Sequence, residues 1–295
     1  MLSPRCPRCG FSFAWNGRKC GHCPPPSRAR QIWDTIGRFE EQLNSTTTRT
    51  TTQLLAIADG CLRRVWDVLP QNIRDAVEAY AQNPQSVRNL GRLRSTSAAD
   101  PQMDFANRLR LIRDAAESNS PSSLFWAVAA LATTCRVAAG NRDYPPREML
   151  SFPLPADLEP YREVLAGNLD HDGDLVGGHP AGVARAYEHL AEELNRYNQE
   201  RGRALFIEEA AQCAIIRDTQ VYPEVTVVFD PEWRTTTAVA LAREMYASRD
   251  FSVMPILADA LQDAGCEDPE ILEHCRSEKP HFRGCWVLEM VLAKA

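Results

Sequence analysis

The feature that most constrains the fold is a pair of Cys-x-x-Cys motifs in this 295-residue chain. The motifs consist of Cys6, Cys9, Cys20 and Cys23. Two residues between cysteines allow one tight turn to direct both sulfurs at the same ion, so the four thiolates can close a tetrahedral site. The spacing predicts a structural zinc ribbon over residues 1–26, because four protein ligands leave no place for water or substrate. Iron in a rubredoxin-like site uses the same ligands and is the alternative.

Charge is distributed unevenly along the chain. The net charge is −6, yet residues 1–30 carry six basic and no acidic side chains, which leaves 27 basic and 39 acidic groups in the remainder. The predicted ribbon is therefore a basic head on an acidic body, and it also carries Phe11, Phe13 and Trp15. Such a head favours an anionic partner, although solvated charge on a module too small for a core is the simpler interpretation.

Composition and cysteine usage predict a cytoplasmic globular protein. The hydrophobic content of 44% is ordinary for a chain with a buried core. We expect no secretory signal after Met1, because no charged segment leads into an apolar one. The most apolar run, residues 124–139, is interrupted by Thr133, Thr134 and Arg136, so it predicts a buried helix and no membrane span. Ten cysteines without a secretory signal indicate a reducing compartment.

Hydrophobic periodicity predicts a mainly α protein with three parts. The ribbon over residues 1–26 is followed by a linker with an amphipathic helix over residues 27–52, and then by a helical body over residues 53–295. A threonine-rich tract, residues 45–52, is interpreted as a linker or a loosely ordered helix start. One strand is predicted over residues 225–229. The predicted helices cover about residues 30–44, 53–69, 71–82, 103–117, 123–139, 179–201, 203–218, 235–248, 251–264 and 284–293.

A second group of cysteines and histidines lies in the C-terminal part of the sequence. Cys266, Cys275, His281 and Cys285 resemble the ligands of a CCCH-type zinc finger with the last two ligand types exchanged, and they predict a weaker second metal site. His274 lies beside Cys275 in the same segment. Two alternatives are open. In the first, the cysteines only fill the core; in the second, Cys285 acts as a nucleophile with His281 as its base.

The segment that begins at Asn168 resembles an EF-hand calcium loop. Asn168, Asp170 and Asp172 place oxygen ligands at positions one, three and five, and Gly173 stands at position six. His179 occupies position twelve, where the loop needs a bidentate glutamate. A solvated turn between helices is therefore the preferred interpretation.

The tail contains three segments with many fixed residues in order: 255–266 (PILADALQDAGC), 271–276 (ILEHCR) and 281–286 (HFRGCW). Together with AQCAIIRD at residues 211–218 and, more loosely, DGCLRRVWDVLP at residues 59–70, they resemble an uncharacterised protein family that is abundant in planctomycete bacteria. Its members end in a PILADALEEAGC…HCR…HVRGCW module. The resemblance implies a helical fold and a bacterial origin for residues 205–295, and it supplies no catalytic residue, substrate or cofactor. The zinc ribbon and the middle of the chain depart from the family pattern.

The sequence as a whole predicts a zinc-containing cytoplasmic binding or adaptor protein. Its ribbon and helical body would form a scaffold for another protein, without a membrane. The first alternative is nucleic-acid binding by the basic, aromatic head, and the second is an enzyme that uses the Cys/His tail. The sequence contains no P-loop, no G-x-G-x-x-G after a strand and no G-x-S-x-G, so common enzyme motifs give no support to catalysis.

Overall fold

The computed structural model describes residues 38–44, 49–82, 105–145, 147–170, 172–177, 179–221 and 225–293. Within these ranges the chain forms eleven α-helices and no β-strand. Of the described residues, 71% are helical, which confirms the prediction of a mainly α protein. The predicted zinc ribbon, with Cys6, Cys9, Cys20 and Cys23, lies outside the described residues, as does the first part of the predicted helix over residues 30–44.

The helices agree with most of the predicted spans. In chain order they are α1 (Phe39–Asn44), α2 (Thr51–Arg64), α3 (Gln71–Gln82), α4 (Phe105–Glu117), α5 (Pro121–Asp143), α6 (Arg162–Ala166), α7 (Ala181–Asp218), α8 (Thr236–Ser248), α9 (Met254–Asp263), α10 (Pro269–Arg276) and α11 (Trp286–Val291).

The helix predicted over residues 53–69 ends at Arg64 and is followed by a short 3₁₀ helix, Trp66–Val68. Two further predictions of secondary structure differ from the observed elements. The helices predicted over residues 179–201 and 203–218 form one continuous helix, α7, of 38 residues. Gly202 costs such a helix only about 1 kcal/mol, which is less than the loss of backbone hydrogen bonds at a break. The strand predicted over residues 225–229 adopts no regular structure, because the described residues provide no second strand to pair with it.

The chain divides into two compact units. One is formed by the described parts of Met1–Cys135 and Glu209–Ala295, and the other is Arg136–Glu208. The smaller unit has its own apolar cluster, which consists of Phe152, Leu158, Leu165, Val183, Ala186 and Leu190. The larger unit contains the residues that form the candidate site.

Helices α8 to α11 pack around a single apolar cluster of the larger unit. Gly265 follows α9 with a positive φ of 91°, which lets the chain reverse towards α10. Asp268 then caps α10, because its Oδ1 accepts the backbone N–H groups of Glu270 at 2.9 Å and Ile271 at 3.3 Å. The cluster encloses three buried cysteines: Cys266, Cys275 and Cys285. These turns and caps fix the direction in which α10 presents its side chains.

Helix α5 is the one helix among the described residues that is long and apolar enough to cross a membrane. In its most apolar 18-residue window, 56% of the residues are buried inside the protein. The core helix of a globular protein passes the same test of length and composition, so this helix is weak support for a membrane span.

The threonine-rich tract ends in a helix N-cap. The hydroxyl of Thr50 accepts the backbone N–H of Gln53 at 3.2 Å, and Oε1 of Gln53 accepts the backbone N–H of Thr50 at 2.9 Å. This reciprocal pair is a capping box, which satisfies two N–H groups at the start of α2.

Replacement of Thr50 by alanine is expected to lower the free energy of unfolding by about 1 kcal/mol, because the N–H of Gln53 loses its acceptor. Urea denaturation followed by circular dichroism measures the change. Thr51→Ala is the matched control, since Thr51 is the first helical residue and makes no capping bond; its effect should stay within about 0.5 kcal/mol. Equal losses in the two variants would contradict a specific role for the cap.

Candidate metal centre

Four potential metal ligands converge from three segments of the larger unit. Asp218 is the last residue of α7, and His274 lies in the last turn of α10. His281 and Cys285 belong to the segment between α10 and α11. One ligand atom from each of the four residues can be chosen so that all lie within 4.8 Å of one another. This buried Asp/His/His/Cys group could hold a metal ion.

The contacts within the group are short. Nε2 of His274 lies 3.1 Å from Sγ of Cys285 and 3.2 Å from Oδ1 of Asp218. Nδ1 of His281 lies 2.7 Å from the same oxygen of Asp218. A sulfur, two nitrogens and an oxygen therefore surround one small volume.

The group is shielded from solvent. The side chains of Asp218 and His281 are 4% and 5% exposed, Cys285 is fully buried, and the side chain of His274 is 17% exposed. Nε2 of His281 is buried and has no hydrogen-bond partner among the described residues. A buried polar atom without a partner is costly and calls for a ligand or a proton-transfer role.

Burial and neighbouring charges shift the pKa values of the group. Burial alone would raise the pKa of Asp218, but the hydrogen bonds with His274 and His281 outweigh burial and hold that pKa below its usual value. Burial raises the pKa of the Cys285 thiol well above its usual value, and the Asp218 carboxylate adds to this shift. Burial also lowers the pKa of His274. At neutral pH Asp218 is thus a carboxylate, His274 is a neutral imidazole and Cys285 is a thiol.

The segment before α11 is held against α7 by Asp218. Oδ2 of Asp218 accepts the backbone N–H of Phe282 at 2.6 Å. Gly284 has a φ of 94°, and a Cβ at this position would lie 2.4 Å from Cβ of Ala56. The turn therefore requires glycine both for its backbone conformation and for its close approach to α2, and it places Cys285 at the group.

Trp286 determines how His274 is oriented. Its indole Nε1–H donates to Nδ1 of His274 at 3.1 Å, and the two ring centroids are 4.8 Å apart. With Nδ1 as an acceptor, the neutral imidazole carries its proton on Nε2, which faces Asp218. Binding of a metal ion to Nε2 would move that proton to Nδ1 and break the hydrogen bond with Trp286, so Trp286 is a natural reporter of metal binding.

The geometry does not support a Cys–His–Asp catalytic triad. In such a triad the nucleophile and the carboxylate contact opposite nitrogens of the imidazole. Here Cys285 and Asp218 both contact Nε2 of His274, and Nδ1 contacts Trp286. His281, the base predicted from the sequence, has Asp218 at Nδ1, but its Nε2 has no hydrogen-bond partner among the described residues and so makes no hydrogen bond with Cys285. A fully buried thiol with a raised pKa also supplies no thiolate nucleophile at neutral pH. The four unlike ligand types that converge here could instead hold a metal ion.

Two of the four residues predicted for the weaker metal cluster belong to the observed group. His281 and Cys285 are in it, whereas Cys266 and Cys275 are buried in the apolar core outside the set of converging ligand atoms. Asp218 and His274 complete the group. Asp218 lies 63 residues before His281, so no local spacing identifies it as a ligand.

A cavity of about 530 Å³ adjoins the group. Asp218, His274 and His281 contribute to its lining, and Cys285 does not. Trp286 forms an aromatic wall, and both basic and acidic side chains of the described residues line the remainder. The cavity is thus in contact with Asp218 and the two histidines of the group, and not with Cys285.

In the loop that resembles an EF-hand, the side chain of Asp170 accepts hydrogen bonds from the backbone of the loop itself. Oδ1 of Asp170 accepts the N–H groups of Asp172 at 3.0 Å and Asp174 at 2.9 Å, and Gly173 has a φ of 86°. The turn is thereby closed by its own hydrogen bonds. Within the part of the chain that the structure describes, the acidic groups of this loop form no cluster of three ligands.

Comparisons of the chain with protein-family models, with curated proteins and with solved structures find no match.

Proposed function

We propose that this chain is a zinc-binding protein in which Asp218, His274, His281 and Cys285 hold one Zn²⁺ ion. The observation that carries the proposal is the convergence of these four ligand atoms to within 4.8 Å in a buried position. The ion would join the end of α7, the end of α10 and the segment before α11, in addition to the hydrogen bond that Asp218 accepts from the backbone of Phe282. Its main effect would be to fix the C-terminal helices in place.

The chemistry of the donors favours zinc. Thiolate and imidazole ligands suit Zn²⁺, and a thiolate disfavours Mg²⁺ and Ca²⁺, which prefer oxygen. Around a tetrahedral zinc ion, ligand atoms are about 3.3–3.7 Å apart. The contacts of His274 with Cys285 at 3.1 Å and with Asp218 at 3.2 Å lie close to this range. The contact of His281 Nδ1 with Asp218 is shorter, at 2.7 Å, and the chosen ligand atoms are up to 4.8 Å apart. Binding of the ion would therefore require the side chains to shift until their ligand atoms are evenly spaced.

Metal analysis of the full chain tests the ligand set. In a Cys20→Ser background, which removes a ligand of the predicted ribbon, we expect one zinc ion per chain from the C-terminal site. Cys285→Ser and His281→Gln should each lose this ion, because zinc sites of this kind need all their ligands. Circular dichroism checks that the variants keep their helices. In a separate experiment, titration with zinc should change the indole fluorescence of the parent protein but not that of Trp286→Phe, because Trp286 is hydrogen-bonded to His274.

Two buried cysteines of the same core provide matched controls. Cys266→Ala and Cys275→Ala should keep the zinc ion, since neither sulfur belongs to the converging group. Loss of zinc in both controls, with retention in Asp218→Asn and His274→Gln, would instead support the ligand set Cys266, Cys275, His281 and Cys285. Retention of zinc in Cys285→Ser would contradict the proposal outright.

The wider role that we propose is a structural zinc in a cytoplasmic binding or adaptor protein. Four protein ligands fill a tetrahedral sphere, and a filled sphere is typical of structural zinc sites. Nucleic-acid binding by the basic residues 1–30 is the competing role, and it predicts binding to DNA or RNA that weakens steeply as salt rises. An absence of binding at low salt would remove that role.

Metal-dependent catalysis is a second candidate function, and the cavity beside the group favours it. If Asp218 only orients His281, the metal ion would have a free coordination position that faces the cavity. Substitution of zinc by cobalt distinguishes a structural site, whose coordination sphere is filled, from a catalytic site with an open position. Addition of azide should change the visible spectrum of the cobalt-loaded protein if a position is open, and it should leave the spectrum unchanged if four protein ligands fill the sphere.

A further inference from the structure

A second cavity, of about 510 Å³, is lined by three arginine side chains. Arg234 precedes α8, Arg243 lies within α8, and Arg283 lies in the segment before α11. Tyr246 and several apolar side chains complete the lining. Among the described residues, no acidic side chain lines this cavity.

Arg234 is held in place by neutral partners. Its Nε and Nη2 donate to the backbone oxygen of Met290 at 3.1 and 3.0 Å. Its guanidinium lies 4.9 Å from the ring centroid of Phe229. These contacts fix the orientation of the side chain and leave its positive charge uncompensated.

Arg283 is held in the same manner. Its Nη2 donates to the backbone oxygen of Ala81 at 3.0 Å, and its guanidinium lies 4.9 Å from the ring centroid of Tyr246. The Tyr246 hydroxyl donates to the carboxylate of Glu289, which is buried and does not line the cavity. Even with that carboxylate included, positive charge exceeds negative charge around the cavity.

Arg243 completes the set from an exposed position on α8. No described carboxylate forms a salt bridge with Arg234, Arg243 or Arg283. Three guanidinium groups around one cavity repel one another, and an anion between them would turn this repulsion into attraction. The planar fork of guanidinium donors matches the oxygens of a phosphate group.

We propose that this cavity binds the phosphate group of a small phosphorylated molecule. The three arginines would contact the phosphate oxygens. Val239, Val291 and Leu292, which also line the cavity, would cover an apolar part of the ligand. This site is separate from the Asp/His/His/Cys group, and no residue lines both cavities.

Calorimetric titration of the full chain with inorganic phosphate and with phenyl phosphate tests the proposal. Both probes should bind saturably in a buffer without phosphate, and phenyl phosphate should bind more tightly because its ring covers apolar surface. Arg243→Gln should weaken binding of phenyl phosphate about tenfold, since it removes one charge-assisted contact from an exposed residue that the fold does not need. Benzoate in place of phenyl phosphate should bind more weakly.

Arg110→Gln is the matched control, because Arg110 is an exposed arginine of α4 that does not line the cavity. Its affinity for phenyl phosphate should equal that of the parent protein. The absence of saturable binding of both probes at millimolar concentration would overturn the proposal. Unchanged affinity in Arg243→Gln, or equal weakening in Arg243→Gln and Arg110→Gln, would overturn it as well, because phosphate would then bind elsewhere or only through net charge.

Discussion

Replacement of Asp218 by alanine is expected to lower the free energy of unfolding by about 3–5 kcal/mol, the usual cost of removing one partner from a buried charged network. The Asp218 carboxylate is 4% exposed and accepts hydrogen bonds from the backbone N–H of Phe282 and from Nδ1 of His281. Alanine would leave both donors buried without an acceptor. Urea denaturation of the full chain, followed by tryptophan fluorescence and circular dichroism, measures the loss.

The network makes two control variants informative. Asp218→Asn keeps an oxygen acceptor of the same size, so it should lose clearly less stability than Asp218→Ala. Asp263→Ala removes an equal charge from an exposed position at the end of α9, and its effect should stay within about 0.5 kcal/mol. If Asp218→Ala and Asp263→Ala had similar stabilities, Asp218 would not be the anchor of the segment before α11. Measurement with and without a chelator then separates the contribution of hydrogen bonds from that of bound metal.

Replacement of Gly284 by alanine is the second large effect that we expect. Its φ of 94° is strained for any residue with a side chain, and the new Cβ would lie 2.4 Å from Cβ of Ala56. The backbone conformation costs about 1–2 kcal/mol and the overlap costs about 1–3 kcal/mol, so the combined loss of unfolding free energy should be about 3 kcal/mol. Because Gly284 precedes Cys285, the affinity of the proposed site for zinc should fall in the same variant.

Gly265→Ala is the matched control that measures the cost of the backbone conformation alone. Gly265 has a φ of 91°, but nothing lies within 4 Å of an added Cβ, so Gly265→Ala should lose only about 1 kcal/mol. Ala56→Gly measures the cost of the steric overlap, because it removes the Cβ of Ala56 that the new side chain would meet. In a double-mutant cycle, Ala56→Gly should restore part of the stability lost by Gly284→Ala. Additive effects in that cycle would rule out the clash as a cause.

Local sequence patterns were sufficient for most of the helices. Apolar residues at helical spacing identified α2, α4 and α8, because each of these helices buries one face and the pattern of burial repeats every turn. Local patterns do not predict the continuity of α7 at Gly202, where the sequence suggests a helix end. There the continuous hydrogen bonding of α7 outweighs the low helix propensity of glycine.

Local spacing located only part of the candidate site. The short stretch that contains His281 and Cys285 predicts a metal site, because both residue types are metal ligands. The same pattern predicts Cys266 and Cys275 as further ligands, but the fold places their sulfurs outside the converging group. The carboxylate that contacts His281 comes from the end of α7, 63 residues earlier, and a position so far away has no signature in ligand spacing.

The sequence by itself determined that the chain is mainly helical and that its C-terminal segment carries metal-binding residue types, because helix formation and residue chemistry are local properties. Its two Cys-x-x-Cys motifs predict a zinc ribbon in the same local manner. Only the tertiary structure decided which ligands converge. Asp218, His274 and Cys285 meet because α7, α10 and the turn at Gly284 pack against one another, and the packing of distant segments depends on the whole buried core.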